Sequence, residues 1–244
     1  MVEQVADGVF LGRGTDVNWI LAVDGDGLTL IDTGYPGDRP ALEASISALG
    51  RRPQDVRAVL LTHAHIDHVG SAAHFAKRYG TPVLTDAVEV GHARHEYREQ
   101  ASPLDVARNI WRPGVLPWTV RIIRAGALTD MPVPQATAFP RPGALDLPGR
   151  PTPVATHGHT SGHTAYLLPD AGAVVTGDGL VTGHAVSRTQ GPQLIAPWFD
   201  HGDSAAALTP LETLDADLLL PGHGDPWRGP IADAVARARE HRRP

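Results

Sequence analysis

The segment at residues 62–70 reads THAHIDHVG and follows an apolar run at 56–61 that is typical of a buried strand. Three histidines and one aspartate, His63, His65, Asp67 and His68, therefore fall within six residues of a strand-to-helix loop. In an extended or turning loop the three imidazoles can converge while the carboxylate points to an adjacent spot. Imidazole nitrogens and carboxylate oxygens both suit zinc, and three protein ligands plus a water are typical of catalytic zinc sites. The loop predicts a catalytic metal site.

The composition makes this concentration of histidine stand out. The 244 residues include 13 His and no Cys, which excludes disulfides, thiol nucleophiles, iron–sulfur clusters and Cys-ligated zinc. A net charge of −6 argues against a nucleic-acid partner, because binding phosphates needs a basic surface. The chain has no run of ~20 apolar residues, and its start, MVEQVADGVF, lacks a basic region followed by an apolar one. We therefore expect no membrane partner, no signal peptide and a cytoplasmic location.

Short apolar strands alternate with helices along the chain, which indicates an α/β protein with sheet packed between helices. The length predicts one or two domains, and we expect a single domain over 1–244. Strands are predicted at residues 9–11, 18–23, 28–31, 56–61, 164–168, 173–176 and 218–220, and helices at 40–49, 71–79, 86–100 and 231–241. The helix at 86–100 rests on Asp86 and Glu89, which fit a capping box.

Three further polar fragments each follow a predicted strand or extended run. They read THGHTSGH at 156–163, TGDG at 176–179 and PGHG at 221–224. Their glycines allow the backbone to turn tightly beside a ligand. Since side chains from successive strand ends gather at one edge of a sheet, these fragments and the first loop predict one shared site.

With these fragments in this order, the sequence resembles the metallo-β-lactamase-fold hydrolase superfamily, in particular its glyoxalase II and lactonase-like branch. The resemblance runs from about residue 5 to 224. Its motifs are LIDTG at 30–34, HAHIDH at 63–68, GHT at 158–160, GDG at 177–179 and PGHG at 221–224. The resemblance implies the metallo-β-lactamase-type αββα sandwich, with two sheets back to back and helices outside.

The resemblance also implies a dinuclear metal site. One metal would be held by His63, His65 and His159, the second by Asp67, His68 and His223, and Asp178 would bridge both. Nitrogen and oxygen ligands favour two Zn ions, with Fe or Mn as alternatives.

Two more residues are expected to support the ligands. His163 competes with His159, since each stands in a Gly-His-Thr run; the family ligand is the first, so His163 is expected to orient a ligand. Asp32 matches a family position that is near the metals without binding them. It either supports the metal-binding loop or caps the turn that follows its strand, and the sequence leaves both open.

The ligand set favours hydrolysis over redox chemistry, because both second-site residues of the loop, Asp67 and His68, are present. An aspartate at 178 resembles thioester and lactone hydrolases, whereas β-lactamases of this fold generally have Cys or Ser there. We expect a hydrolase of a small carboxylic ester, thioester or lactone, in which a hydroxide bridging the metals attacks and Asp67 orients it as a catalytic residue. The alternatives are a phosphodiesterase on a small substrate with the same site, and a non-catalytic metal-binding module.

Residues 91–150 carry eight Arg against five acidic residues, and prolines break them repeatedly. We expect an inserted helical or irregular lid over the metal edge, with a solvated excursion as the alternative. The aromatic residues expected to line an acyl pocket are Tyr97, Trp111 and Trp118 in the lid, with Trp198 and Phe199 as a second wall. They could equally pack the lid onto the body. The expected partner is a small-molecule substrate; a homodimer is compatible with the sequence, which leaves the oligomeric state open.

Overall fold

The computed structural model describes residues 2–241, and within that range twelve strands form two sheets. The first sheet has seven strands that pair in chain order. They are β1 (Val2–Ala6), β2 (Val9–Arg13), β3 (Asn18–Asp24), β4 (Gly27–Ile31), β5 (Val56–Leu60), β6 (Val83–Thr85) and β7 (Ala136–Ala138). Pairing is antiparallel from β1 to β4 and parallel from β4 to β7.

The second sheet has five strands in the order β12-β11-β10-β9-β8. They are β8 (Thr152–Ala155), β9 (Thr164–Leu168), β10 (Ala173–Gly177), β11 (Leu218–Pro221) and β12 (Trp227–Arg228). Only β10 and β11 run parallel to each other, among the strands described.

Seven α-helices lie in the described part of the chain. They are α1 (Arg39–Ala48), α2 (Ile66–Val69), α3 (Ala72–Tyr79), α4 (Glu89–Ala93), α5 (Pro103–Asn109), α6 (Val115–Arg124) and α7 (Ile231–His241). None of the helices between residues 2 and 241 has both the length and the apolar character that crossing a bilayer requires.

The two sheets pack face to face, and apolar side chains from both fill the space between them. Ile31 and Leu60 of the first sheet share this core with Tyr166 and Val175 of the second. Each of these four side chains is at most 3% exposed. Such burial stabilises the fold by about 1.5–3 kcal/mol for each large aliphatic group.

Helices cover the outer faces of both sheets. Neighbouring strand residues point to opposite faces, so Val59 packs outward against Ile46 of α1 and Phe75 of α3, while the next residue faces the inner core. On the other side, Val174 packs against Val235 of α7. The four layers confirm the predicted αββα sandwich.

The segment at 91–150 differs from the predicted insertion in one respect. Helices α5 and α6 do lie over the site edge, where Trp118 and Ile122 pack with Ile66 and Phe199. However, Ala136–Ala138 pairs with β6 as the last strand of the first sheet, so the segment is not irregular throughout. A three-residue strand carries too little alternation to be recognised in the sequence.

The helix predicted at 86–100 ends at Ala93. His95 adopts a φ of +61°, which an α-helix cannot continue through, and the chain then turns back. The predicted capping box is wrong as well: the Asp86 carboxylate accepts from Val88 N at 2.8 Å, and the Glu89 side chain points to the site described below.

Candidate metal centre

The predicted ligands lie in four segments that meet at one edge of the sandwich, and Asp67 and His68 lie on the short helix α2. His63 lies in the loop after β5, His159 in the loop between β8 and β9, Asp178 directly after β10 and His223 two residues after β11. β5 is parallel to its neighbours β4 and β6, and β10 is parallel to β11, so the carboxyl ends of these strands supply the site. This is the arrangement expected of α/β folds.

The structure brings all seven predicted ligands together in two groups. The first group contains His63, His65, His159 and Asp178, and the second contains Asp67, His68 and His223. Within each group, one ligand-type atom from every residue lies within 4.8 Å of all the others.

Asp178 lies between the two groups. Its Oδ2 is 3.1 Å from His223 Nε2 and 3.6 Å from His159 Nε2, and its Oδ1 is 3.4 Å from His68 Nε2. One carboxylate therefore faces both groups, which is the position that a bridging ligand requires.

Several atoms that face the centre of these groups have no hydrogen-bond partner. His63 Nε2, His68 Nε2 and Asp178 Oδ1 are all fully buried without one. A buried polar atom left unpaired costs about 1–3 kcal/mol, more when charged. Divalent cations would satisfy all three atoms, and the nitrogen and oxygen donor set suits them. The residues present therefore fit the two metal ions that the sequence predicts.

The other ring nitrogen of each histidine is bound from outside the groups. The pairs are His63 Nδ1 with Thr62 Oγ1 (3.0 Å), His65 Nε2 with Glu99 O (2.5 Å), His68 Nδ1 with Asp32 Oδ2 (2.8 Å), His159 Nδ1 with Asp200 Oδ1 (3.1 Å) and His223 Nδ1 with Asp16 O (2.5 Å). Where the partner is a carboxylate or carbonyl, the imidazole N–H donates the hydrogen bond. The opposite ring nitrogen is then unprotonated, and its lone pair faces the metal site.

Burial and charge set the protonation of the ligands. Burial lowers the pKa of His63 and His65 well below the usual range, with neighbouring imidazoles acting in the same direction, so both are neutral as metal binding requires. Burial also opposes a charge on His68, but the carboxylates of Asp32 and Asp178 outweigh it and raise its pKa. Burial likewise opposes the charge on Asp178, yet adjacent imidazoles hold the pKa of that carboxyl well below its usual range.

Asp32 supports the metal-binding loop. Its carboxylate accepts hydrogen bonds from Thr62 N (2.8 Å), Thr62 Oγ1 (2.7 Å) and His68 Nδ1 (2.8 Å). It does so from a φ of +61°, a conformation that L-residues rarely adopt and that is typical of functional sites. Of the two interpretations left open by the sequence, these contacts favour support of the loop.

His163 lies outside both ligand groups and holds the backbone at Asp178. Its Nε2 accepts from Asp178 N and Gly179 N, each at 3.2 Å, while Nδ1 lies 2.8 Å from Thr156 Oγ1. Burial lowers the pKa of His163 to about 3, which keeps Nε2 free to accept. His163 was expected to orient a metal ligand, and it contacts the backbone of the ligand Asp178 and not its side chain.

Glu89 is a site residue that sequence reasoning missed. Fully buried, its carboxylate accepts from Ala64 N (2.8 Å), between two ligands of the first loop, and from Thr160 Oγ1 (2.8 Å) and Gly162 N (3.0 Å) in the second loop. It also lies 2.8 Å from His92 Nδ1. His92 is itself buried, with 2% of its surface exposed. The capping pattern at 86–89 concealed this role.

A cavity of about 770 Å³ opens onto the two groups. His65, Asp67, Asp178 and His223 line its floor. Its walls are mostly aliphatic and aromatic, with α5, α6 and the segment at 127–130 on the lid side.

Two of the five aromatic residues predicted to line this cavity do so. Trp118 and Phe199 line it. Trp198 is not among the lining residues described and stacks on Phe199, with ring centroids 3.7 Å apart. Tyr97 and Trp111 are not among the described lining residues: Tyr97 donates its hydroxyl to Val88 O at 2.6 Å, and Trp111 is 75% exposed. Tyr97, Trp111 and Trp198 therefore depart from the predicted pocket lining.

The family model of the metallo-beta-lactamase superfamily matches residues 12–223, and the chain belongs to this superfamily. It is a metal-dependent hydrolase, in line with its relatives. Metallo-beta-lactamase domain-containing protein 1 of Xenopus laevis is 29% identical over 211 residues, covering 86% of this chain and 71% of that protein. Probable metallo-hydrolase YflN of Bacillus subtilis is 25% identical over 208 residues, covering 82% and 76%.

Solved structures show the same fold. A metallo-beta-lactamase from Cronobacter sakazakii superposes with a TM-score of 0.68 at 19% identity, covering 98% of this chain and 92% of that one. A metallo-beta-lactamase family protein from Thermus thermophilus has a TM-score of 0.65 at 25% identity, covering 98% and 80%.

Removing metal should destabilise the protein, because it leaves buried ligand atoms unpaired. Zinc at 100 times its Kd should raise the unfolding free energy by about 2.7 kcal/mol. The His63→Ala variant should lose bound metal and most of this gain, whereas His157→Ala, 42% exposed and outside both groups, should retain them. Elemental analysis measures the bound metal, and thermal unfolding with and without a chelator measures the gain in stability. Equal metal content in the two variants would contradict the assignment.

Asp32→Asn should weaken metal binding about 10–100-fold, since an amide cannot accept from all three of its present donors. The control is Asp26→Asn in the exposed turn between β3 and β4, which should bind like the parent. Competition between the apoprotein and a chromophoric chelator gives the affinities. An unchanged affinity in Asp32→Asn would show that its contacts do not orient the ligands.

Proposed function

We propose that this chain hydrolyses a small carboxylic ester, thioester or lactone with an apolar acyl group, using two zinc ions. The observation that carries the proposal is the apolar cavity of about 770 Å³, which ends on Asp67, Asp178, His65 and His223. Its volume is within the range of small-molecule sites. An acyl chain would lie along the apolar walls and place its carbonyl at the polar floor.

The ligand groups support two ions with a shared aspartate. When bound, such ions lower the pKa of water toward about 7 and polarise a carbonyl oxygen. An aspartate at the shared position favours thioester and lactone substrates over β-lactams, because the sequence resembles the thioester and lactone hydrolases at this residue.

Asp67 is placed to act on the reacting atoms. Its side chain is 14% exposed, more than those of the other six ligand residues, and it lines the cavity floor. Its Oδ2 is 3.5 Å from His223 Nε2 and 3.9 Å from His68 Nε2. From there the carboxylate orients the attacking water, accepts its proton and returns it to the leaving group.

Tyr35 supplies a second polar group to the same cavity. It is 3% exposed and lines the cavity. Burial raises its pKa well above the usual range, and the charge of Asp67 acts in the same direction. The phenol therefore keeps its proton and donates a hydrogen bond to an oxygen of the bound substrate.

The charge of the cavity favours a neutral carbonyl substrate over a phosphodiester. Phosphodiesters are recognised best by charge-assisted hydrogen bonds from cationic side chains. Among the described lining residues, Arg98 is the single Arg or Lys, and its guanidinium is already paired with Asp130.

A three-substrate panel tests the proposal. The zinc-loaded enzyme should turn over an acyl thioester or an acyl-homoserine lactone, and should be slow on bis-p-nitrophenyl phosphate. Asp67→Ala should abolish turnover, whereas His157→Ala should not. Turnover of the phosphodiester alone would overturn the proposal in favour of the alternative hydrolase. Metal binding without any turnover would favour a non-catalytic module.

Filling the cavity should discriminate between acyl chains. Val106 lines it from α5, so Val106→Phe should lower kcat/KM for an octanoyl substrate by at least about tenfold and leave an acetyl substrate nearly unchanged. The matched control is Leu104→Phe on the same helix, 56% exposed and outside the described lining. Steady-state kinetics on both substrates provide the comparison. An equal loss for both chain lengths would contradict acyl binding between α5 and α6.

A further inference from the structure

The exposed apolar side chains of this protein are concentrated on the lid. Seven of the nine exposed large hydrophobic residues in the described chain fall within residues 104–128. Trp111 and Leu128 are the most exposed, at 75% and 69%. A concentration of this kind marks an interaction surface, because single exposed apolar residues would otherwise be scattered. We call the exposed side chains of 104–128 the lid face.

The lid face is also the cationic part of an acidic chain. Residues 104–128 contain four arginines and one acidic residue, a net charge of +3. The whole chain carries −6, so the remainder carries −9. Arg112 and Arg124 are exposed and have no carboxylate partner among the described residues. Their charges are therefore available to an anionic partner.

Three of the seven exposed apolar residues of the lid face also line the cavity. Ile110, after α5, and Ile123, on α6, are 38% and 47% exposed and both line the cavity, as does Leu128. Leu116 and Val120 precede Ile123 by seven and three residues, on the same exposed side of α6. The cavity thus opens within the lid face.

We propose that the lid face docks on a bilayer surface that contains anionic lipids. Apolar side chains with an exposed tryptophan enter the interface, while arginines reach the headgroups with their aliphatic stems along the apolar surface. The absence of a long apolar segment excludes only a membrane span, not attachment of this kind. This inference goes beyond the proposed hydrolysis and does not depend on it.

Charge favours an anionic bilayer over a second copy of the chain. A two-fold dimer places the same surface on both sides of the interface, so it would bring the unpaired charges of Arg112 and Arg124 in one lid face toward those in the other. An anionic bilayer instead offers opposite charge across a broad apolar layer.

If the proposed function holds, docking also indicates the source of the substrate. A cavity mouth that lies within the docked surface would admit an apolar acyl chain from the lipid phase directly to the metal edge. Vesicle binding measures docking alone, and turnover of a soluble substrate measures hydrolysis alone. A failure of the docking inference can therefore be distinguished from a failure of the proposed function.

Sedimentation with vesicles tests the docking. The zinc-loaded protein should sediment with vesicles of mixed phosphatidylcholine and phosphatidylglycerol, and not with phosphatidylcholine alone. Added salt should release it, since exposed charges are screened. Arg112→Gln and Arg124→Gln should each weaken binding about fivefold, the effect of roughly 1 kcal/mol for a basic residue near the surface. Trp111→Ser should also weaken it.

Matched controls lie outside the lid face. Arg141→Gln and Val88→Ser remove an exposed charge and a 47% exposed apolar group, and both should bind like the parent. Bound zinc and the melting temperature should be unchanged in every variant, which shows that each is folded. No sedimentation with anionic vesicles, or binding that the lid-face variants do not weaken, would overturn the proposal. The proposal would also be overturned if the protein did not bind vesicles and instead formed a concentration-dependent dimer that Trp111→Ser dissociates.

Discussion

The buried carboxylate of Asp178 lies between two groups of ligand atoms, with imidazole nitrogens at 3.1 Å and 3.4 Å from its oxygens. A desolvated ion costs several kcal/mol unless its surroundings compensate. The strand ends of the second sheet and the loop after β5 supply that compensation together. Gly222 is needed at the same point, because a Cβ there would collide with this carboxylate. The strand ends at this edge therefore pack around one buried charge.

A set of carboxylates outside the ligand groups holds the loops in register. Asp32 joins the end of β4 to the loop after β5, and Asp200 holds the ring of His159. Glu89 joins that first loop to the loop between β8 and β9 through main-chain donors in both. Because the imidazoles are oriented before a metal arrives, binding requires little rearrangement of the protein.

The ligand set and the four-layer fold could be predicted from the sequence, because the histidine- and aspartate-bearing fragments each follow a strand or extended run and parallel strand ends meet at one edge. The contacts of Glu89 could not, since the same carboxylate fits a local capping pattern and only the tertiary fold brings Ala64 and Gly162 to it. The exposure of Trp111 is equally invisible in sequence. Residue type alone does not show whether a tryptophan lines a cavity or lies on the outer surface. Trp111 lies on the outer surface.

The attachment of the lid to the metal loop has a mechanical consequence. The carbonyl of Glu99 is bound to His65 and its carboxylate to Ser161, while the side chain of Gln100 accepts from Ile66 N. These hydrogen bonds tie the two lid residues to the loops that carry the ligands. Any opening of the cavity that leaves the ligands in place must pivot beyond Gln100, so the hinge on this side belongs to the approach to α5 and not to the segment that follows α4.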